Sequence, residues 1–196
     1  GVITENKGNR VISMEGISRA FANEVLQRAL ALGDLCVHVY TAHKIWAWNV
    51  PEIERRYTCK LQKMDETDEP NLDFLADEQI IKCLVMNTNV AYLHQLAQEW
   101  QDITDDIDVS FSANRYLEFN KKGVNKGTGL LRLGEILDIP AEEIIAIGDN
   151  YNDLPMVKTA GLGVFMANAP KELKCQADYV TTLDNNAGGV AEVIEK

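Results

Sequence analysis

The densest concentration of chemistry in the sequence is Gly148-Asp149-Asn150-Tyr151-Asn152-Asp153. Asp149 and Asp153 share one loop with two side-chain amides between them, so both carboxylates can face one point. Carboxylates with neutral oxygen donors nearby suit Mg²⁺, an ion that keeps several waters and takes one or two carboxylates from a protein. The same residues would also make an ordinary polar turn with a helix cap. A second candidate is Lys126, in Gly-Val-Asn-Lys-Gly-Thr-Gly at 123–129. A lysine at a helix start, with Thr128 and open backbone N–H groups beside it, can hold a phosphate oxygen. A solvated helix-start lysine is the plainer reading.

Several elements must position these residues. The apolar run 144–147 ends on Gly148 and reads as a buried parallel strand. In open α/β sheets the ligand crevice lies beyond the carboxyl ends of the strands, and glycine permits a sharp exit there. A short helix opening near Pro155 and stopping at Gly161 aims its positive end at an anion. Leu130, Leu133 and Leu137 give a helix over 126–137 an apolar stripe, with Pro140 beyond its end. Strands at 163–166 and 178–181 and helices at 171–176 and from 188 onward complete an α/β pattern with a parallel sheet.

The earlier part reads as α+β. It has a hairpin at 2–4 and 10–12 and a helix over 18–32 closed by Gly33. A strand follows at 35–41, with Val37 and Val39 on one face. Residues 42–64 stay undecided apart from a short helix opened by Pro51. Then come a strand at 80–86, a helix at 90–100, and strands at 108–112 and 116–119 split by a polar break.

Composition narrows the classes. Nineteen basic against 30 acidic residues leave 19 − 30 = −11, which argues against nucleic acid or an anionic membrane as partner. Seven of the acids fall in residues 65–78 with no base among them, a solvated stretch by its charge and without the ligand spacing of a calcium loop. Cys36, Cys59, Cys83 and Cys175 form no CxxC pair; Cys36 and Cys83 sit in apolar runs as core residues. Reduced thiols, no signal-like start and no stretch long enough to span a bilayer point to the cytoplasm. His38, His43 and His94 lack metal-ligand spacing.

Lys126 in Asn-Lys-Gly-Thr-Gly-Leu, the loop 148–153, the stretch GLGVFMANAPKELKCQADYVT and Gly188-Gly189-Val190-Ala191 resemble, in order and spacing, the haloacid dehalogenase superfamily. The closer similarity is to its Cof-type sugar-phosphate phosphatases. It covers residues 115–196 in detail and 13–114 in outline only. It implies a partial Rossmann-like core, formed by the C-terminal half of a parallel sheet, with an inserted α+β cap. The domains would be 1–12 as a core segment leading into the cap, 13–114 as the cap, and 115–196 as the C-terminal part of the core.

The resemblance makes Lys126 the lysine that steadies the phosphate and the nucleophile, Asp149 a Mg²⁺ ligand and Asp153 its acidic partner, direct or through water. Asn152 becomes a phosphate contact and Asn168 a residue near the site. Pro155 and Ala167 depart from the family pattern without removing a ligand. The larger departure is that no D-x-D-G-T nucleophile motif occurs. Roughly 80 residues of a typical core half, less than a common domain, would precede Gly1.

The expected activity of the intact protein is therefore Mg²⁺-dependent hydrolysis of a small phosphorylated metabolite through an aspartyl-phosphate. This chain alone would be inactive, a C-terminal piece partnered by the missing segment or another chain. A non-catalytic phosphate- or Mg²⁺-binding or interaction module, and a phosphomutase, are the alternatives. Tyr40, His43, Trp46 and Trp48 are candidate cap contacts, with plain packing as the competing role.

Overall fold

The computed structural model describes residues 2–4, 10–60 and 63–196. They fall into two compact units, 1–122 and 123–196. The division comes later than the boundary expected at 114, because the strand that follows belongs to the first unit's sheet.

In the first unit, β1 (Val2–Thr4) and β2 (Val11–Met14) pair antiparallel, with Val2 opposite Met14. The turn of this hairpin, residues 5–9, lies outside the described residues. Helix α1 (Arg19–Leu32) starts on Ser18, whose side chain accepts from the Phe21 N–H, and stops where Gly33 enters the left-handed region at φ 78°. Its buried stripe is Ala22, Val25, Leu26 and Ala29, while Leu32 stays exposed. Then come β3 (Cys36–Thr41), β4 (Ile45–Trp48), α2 (Glu52–Thr58), β5 (Asp65–Glu66), β6 (Ile80–Met86), α3 (Val90–Glu99), β7 (Ile107–Ser112) and β8 (Tyr116–Lys121). The six strands order as β5-β4-β3-β6-β8-β7, antiparallel except for the parallel β4–β5 pair.

Side chains alternate across this sheet. Val37, Val39, Cys83, Val85, Leu117 and Phe119 join the apolar faces of α1 and α3 in the main core. Burial of each large side chain there contributes about 1.5–3 kcal/mol. The opposite face carries Cys36, Ala47, Leu84, Met86 and Tyr116.

Strand β4 is the element that the sequence left undecided. It is apolar on both faces, with Trp48 in one cluster and Ala47 in the other, so no alternation marks it. Trp48 is a core residue whose Nε1 donates to the Glu69 carbonyl at 2.8 Å, and Trp46 packs edge-on against Phe74. The acidic stretch is also more than a solvated loop. Its acids are exposed or half-buried, but β5 adds an edge strand and Leu72 and Leu75 enter the core.

Helix α2 carries one carboxylate into the interior. Glu54 is fully buried, accepts from Tyr116 Oη at 2.6 Å and lies 3.3 Å from Arg115 Nη1. His38 Nε2 stands 3.7 Å away, beyond hydrogen-bonding reach. Burial, aided by the Lys82 charge, pushes the imidazole down to about 4, so it is neutral at pH 7 and forms no ion pair with Glu54.

The second unit runs α4 (Lys126–Leu137), β9 (Ile145–Gly148), α5 (Leu154–Thr159), β10 (Leu162–Phe165), α6 (Lys171–Lys174), β11 (Tyr179–Val180) and α7 (Gly189–Ile194). Strands β11-β10-β9 form a parallel sheet in that order, as the alternating pattern required. Val157, Phe165, Ala169 and Leu173 make its core. Helix α4 spans the expected residues, but its packing is not set by the leucine stripe. It buries Gly127 and Gly134, while Leu133 and Leu137 are 40% and 56% exposed. The two glycines let the helix backbone approach α5 and the 139–144 segment, so the leucine stripe faces away from the unit's own core. Among the described residues no helix is long and apolar enough to cross a membrane.

Candidate functional site

The sheet register explains how the candidate residues meet. Phe165 at the end of β10 pairs with Gly148 at the end of β9, so the loops after both strands open at the same sheet end. Asp149 leaves β9 there, and Asn168 sits in the turn after β10. Asn168 Nδ2 donates to Asp149 Oδ2 at 2.9 Å. The Met166 N–H donates to the Gly148 carbonyl at 2.9 Å and ties the two exits together.

The loop after Gly148 is shaped by its own side chains. Asn150 caps the single 3₁₀ turn at 151–153. Asp153, 4% exposed, folds back so that Oδ2 accepts from the N–H groups of Asp149 and Asn150 at 2.9 and 3.0 Å. This requires glycine at 148, because an added Cβ would stand 2.3 Å from the Asp153 Cβ. Oδ1 of Asp153 takes the ammonium of Lys126 at 2.5 Å, across 27 positions of sequence. Gly127 makes that reach possible. A Cβ there would lie 2.7 Å from the Pro155 carbonyl oxygen, so the start of α4 packs directly on the start of α5.

Both oxygens of Asp153 thus have partners. Burial alone would raise its pKa, but the Lys126 hydrogen bond, the two N–H donors and the lysine charge outweigh it and hold the carboxyl below its usual value. Lys126 remains half-exposed along its side chain, at 50%. Asn152 is exposed on the same 3₁₀ turn.

One expectation does not hold. Two of the N–H groups at the start of α4 are not open to a phosphate. Those of Gly127 and Thr128 donate to Asn125 Oδ1, and Thr128 Oγ1 accepts from the Asn125 N–H in a reciprocal cap. Of that segment, only the Lys126 side chain reaches the Asp149 loop.

The sequence reading missed Asn185. Its Nδ2 lies 3.3 Å from Asp149 Oδ2, and its backbone N–H donates to Asn168 Oδ1 at 3.0 Å. Nothing in the Asp-Asn-Asn-Ala-Gly-Gly stretch marks it apart from turn-forming composition. The loop carrying it is anchored by Glu192 of α7, which accepts from Tyr179 Oη and from the N–H groups of Thr182 and Leu183. Those bonds, Tyr179's first, bring the Glu192 carboxyl down to about 2.

A pH dependence follows. Both Asp153 and Glu192 bind their protons more weakly folded than unfolded, so their contribution is complete above the unfolded values and is lost as pH falls through the folded ones. Hydrogen-exchange protection of the Thr182 and Leu183 amides is expected to hold from pH 7 to about 5 and to fall toward pH 2, with a flatter profile in Glu192→Gln. Coincident profiles for parent and variant would refute the anchoring role.

A parallel α/β unit with a lysine, carboxylates and amides collected beyond its strand ends belongs to the open-sheet class of ligand-binding folds. The chain belongs to the haloacid dehalogenase-like hydrolase family, whose sequence profile matches residues 1–194. It is similar to the phosphatase YwpJ of Bacillus subtilis, 33% identical over 141 residues, which cover 71% of this chain and 46% of that protein. It is also similar to the 5-amino-6-(5-phospho-D-ribitylamino)uracil phosphatase YcsE of the same organism, 39% identical over 89 residues, 45% of this chain and 35% of that one. Among solved structures, a haloacid dehalogenase-like hydrolase from Bacteroides thetaiotaomicron superposes with a TM-score of 0.82 at 32% identity, covering 100% of this chain and 73% of its own. The stretches matched in the two curated relatives thus span less than half of their length.

Proposed function

We propose that these residues belong to a Mg²⁺-dependent phosphatase of the Cof type acting on a small phosphorylated metabolite. The observation that carries this reading is the 2.5 Å contact between Lys126 and Asp153, which anchors a half-exposed ammonium beside the Asp149 loop in a chain of this family. An ammonium held in that way can pair with a phosphoryl oxygen and neutralise charge that develops during transfer. Asn152, exposed on the same turn, offers an amide to the phosphate.

The donor set fits Mg²⁺. Asp149 Oδ2 is held by amides, while Oδ1 accepts no hydrogen bond from the described residues. Asp153 is already committed to Lys126 and two N–H groups, so Asp149 would be the main carboxylate holding the ion, with Asp153 as its acidic partner, directly or through water. Among the described residues no three His, Cys, Asp or Glu side chains gather, which is compatible with an ion that takes one or two carboxylates and keeps its waters. When bound, the ion supplies positive charge opposite the phosphoryl oxygens.

We place the nucleophile in a segment outside these 196 residues. An aspartate there would attack phosphorus, the ester P–O bond would break and the leaving oxygen would take a proton from the second aspartate of the D-x-D-G-T segment. Water would then hydrolyse the aspartyl-phosphate. Support comes from β9, which among the described residues pairs only with β10, and from Ile145 and Leu137, which are 52% and 56% exposed. A neighbouring parallel strand and its helix would cover such a surface. The substrate named for YcsE, a phosphorylated metabolite, supports the substrate class. The net charge of −11 supports neither nucleic acid nor an anionic membrane as partner.

The test compares the 196 residues alone with the longer protein that carries a D-x-D-G-T segment. With p-nitrophenyl phosphate and Mg²⁺, the longer protein is expected to turn over and to lose activity in EDTA. The 196 residues alone should match a buffer blank. Turnover by the shorter chain that vanishes in Asp149→Ala would overturn the placement of the nucleophile.

A further inference from the structure

Asp149 is held by an arrangement that reaches to the far end of the chain. Its Oδ2 takes two carboxamides, Asn168 Nδ2 at 2.9 Å and Asn185 Nδ2 at 3.3 Å. The Asn185 backbone N–H donates to Asn168 Oδ1 at 3.0 Å. That bond decides the orientation of the Asn168 amide, because only one flip presents Oδ1 to an N–H and Nδ2 to a carboxylate. Asn185 therefore acts on Asp149 twice, directly and through Asn168.

Asn185 is exposed, so its position must come from its loop. Glu192 fixes the entry, accepting the N–H groups of Thr182 and Leu183. The Leu183 carbonyl accepts from Thr181 Oγ1 at 2.6 Å and from the Ala167 N–H at 3.3 Å, which joins the loop to the turn that carries Asn168. Asp184 closes the loop by accepting the N–H groups of Asn186 and Ala187. Groups of this kind, one step removed from a ligand, orient it and tune its affinity.

We infer that Asn185 is a positioning residue of the Asp149 site, held in register by Glu192, and that it directs Oδ1, which accepts no hydrogen bond from the described residues, toward the ion. The inference rests on the reading of Asp149 as a metal ligand for its consequence and on the hydrogen-bond geometry for its substance. The experiment keeps the two apart.

The full 196-residue chain, labelled with ¹⁵N, is compared with Asn185→Ala, Asn185→Ser and Asp149→Asn. The first readout needs no metal. The Asp149 side chain, which loses the Asn185 Nδ2 donor but keeps that of Asn168, is expected to hold one χ1 rotamer in the parent and to average over rotamers in Asn185→Ala and Asn185→Ser, read from N–Hβ and Hα–Hβ couplings, while the thermal midpoint stays at the parent value. The second readout uses Mn²⁺ as probe. The concentration that half-broadens the Asp149 and Asn150 amides is expected to rise about tenfold in both Asn185 variants, in line with the usual cost of losing such a partner, and the broadening should vanish in Asp149→Asn. A parent-like single Asp149 rotamer in both Asn185 variants would overturn the positioning role. Asp149 rotamer averaging in the Asn185 variants with no Mn²⁺ broadening in the parent supports that role and refutes the metal reading of Asp149.

Discussion

Asp153→Ala is expected to destabilise the second unit by about 2–4 kcal/mol, the cost of removing a buried carboxylate that satisfies two N–H groups and a cation. The lower half of that range is the better expectation, because Lys126 is half-exposed and water replaces part of the loss. The Asp149 and Asn150 amides lose their acceptor, so the loop that carries Asp149 loosens as well. Asp153→Asn separates the contributions. Its carbonyl oxygen can still take the two N–H groups, but its NH₂ faces the Lys126 ammonium as donor against donor. It should therefore lose less stability than the alanine variant while still releasing the lysine. Urea unfolding of the chain, followed through second-unit amides, measures both. Midpoints for both variants within error of the parent would show that Asp153 is a passive turn residue.

The second large effect concerns rate. In a protein that supplies the proposed nucleophile, Asp149→Ala and Lys126→Ala are each expected to lower kcat/KM by about 10²–10⁴-fold, the range for removing a preorganised charge from a transition state. They should differ in form. Loss of Asp149 should make activity dependent on far higher Mg²⁺, whereas loss of Lys126 should leave the Mg²⁺ dependence near the parent's and reduce kcat. Asp153→Asn, which frees the lysine without deleting it, should resemble Lys126→Ala. A steady-state assay of phosphate release across a Mg²⁺ series reads all three. Activity of either alanine variant within threefold of the parent would remove that residue from the proposed chemistry.

The two sets of variants probe the same feature, a lysine and a carboxylate that depend on each other. Gly127 and Gly148 show how closely the backbone had to approach for that pair to form. Neither position admits a Cβ without contact below 3 Å, at Pro155 in one case and at Asp153 in the other. The loop chemistry and the packing of α4 on α5 are thus one construction, in which the polar contact follows from the glycines.

Local patterns are legible because their causes are local. Ser18 and Gly33 bound α1, apolar spacing marks α3 and the apolar run before Gly148 becomes β9, since caps and periodicity act within a few residues. The loop 148–153 announces its carboxylates for the same reason. What the sequence could not assign is partnership. Thr128 and the first N–H groups of α4 read as open, yet Asn125 takes them. The leucine stripe of α4 reads as core, yet glycines make the contact. Asp149 and Asp153 read as two carboxylates facing one point, and the structure holds one by amides and buries the other on a lysine. Asn185 carries no sequence signal and lies 36 positions from the residue it holds. Those outcomes depend on the β9–β10 register and on how closely two helix starts approach. Such distances are fixed by packing among residues far apart in the chain, and no local pattern encodes them.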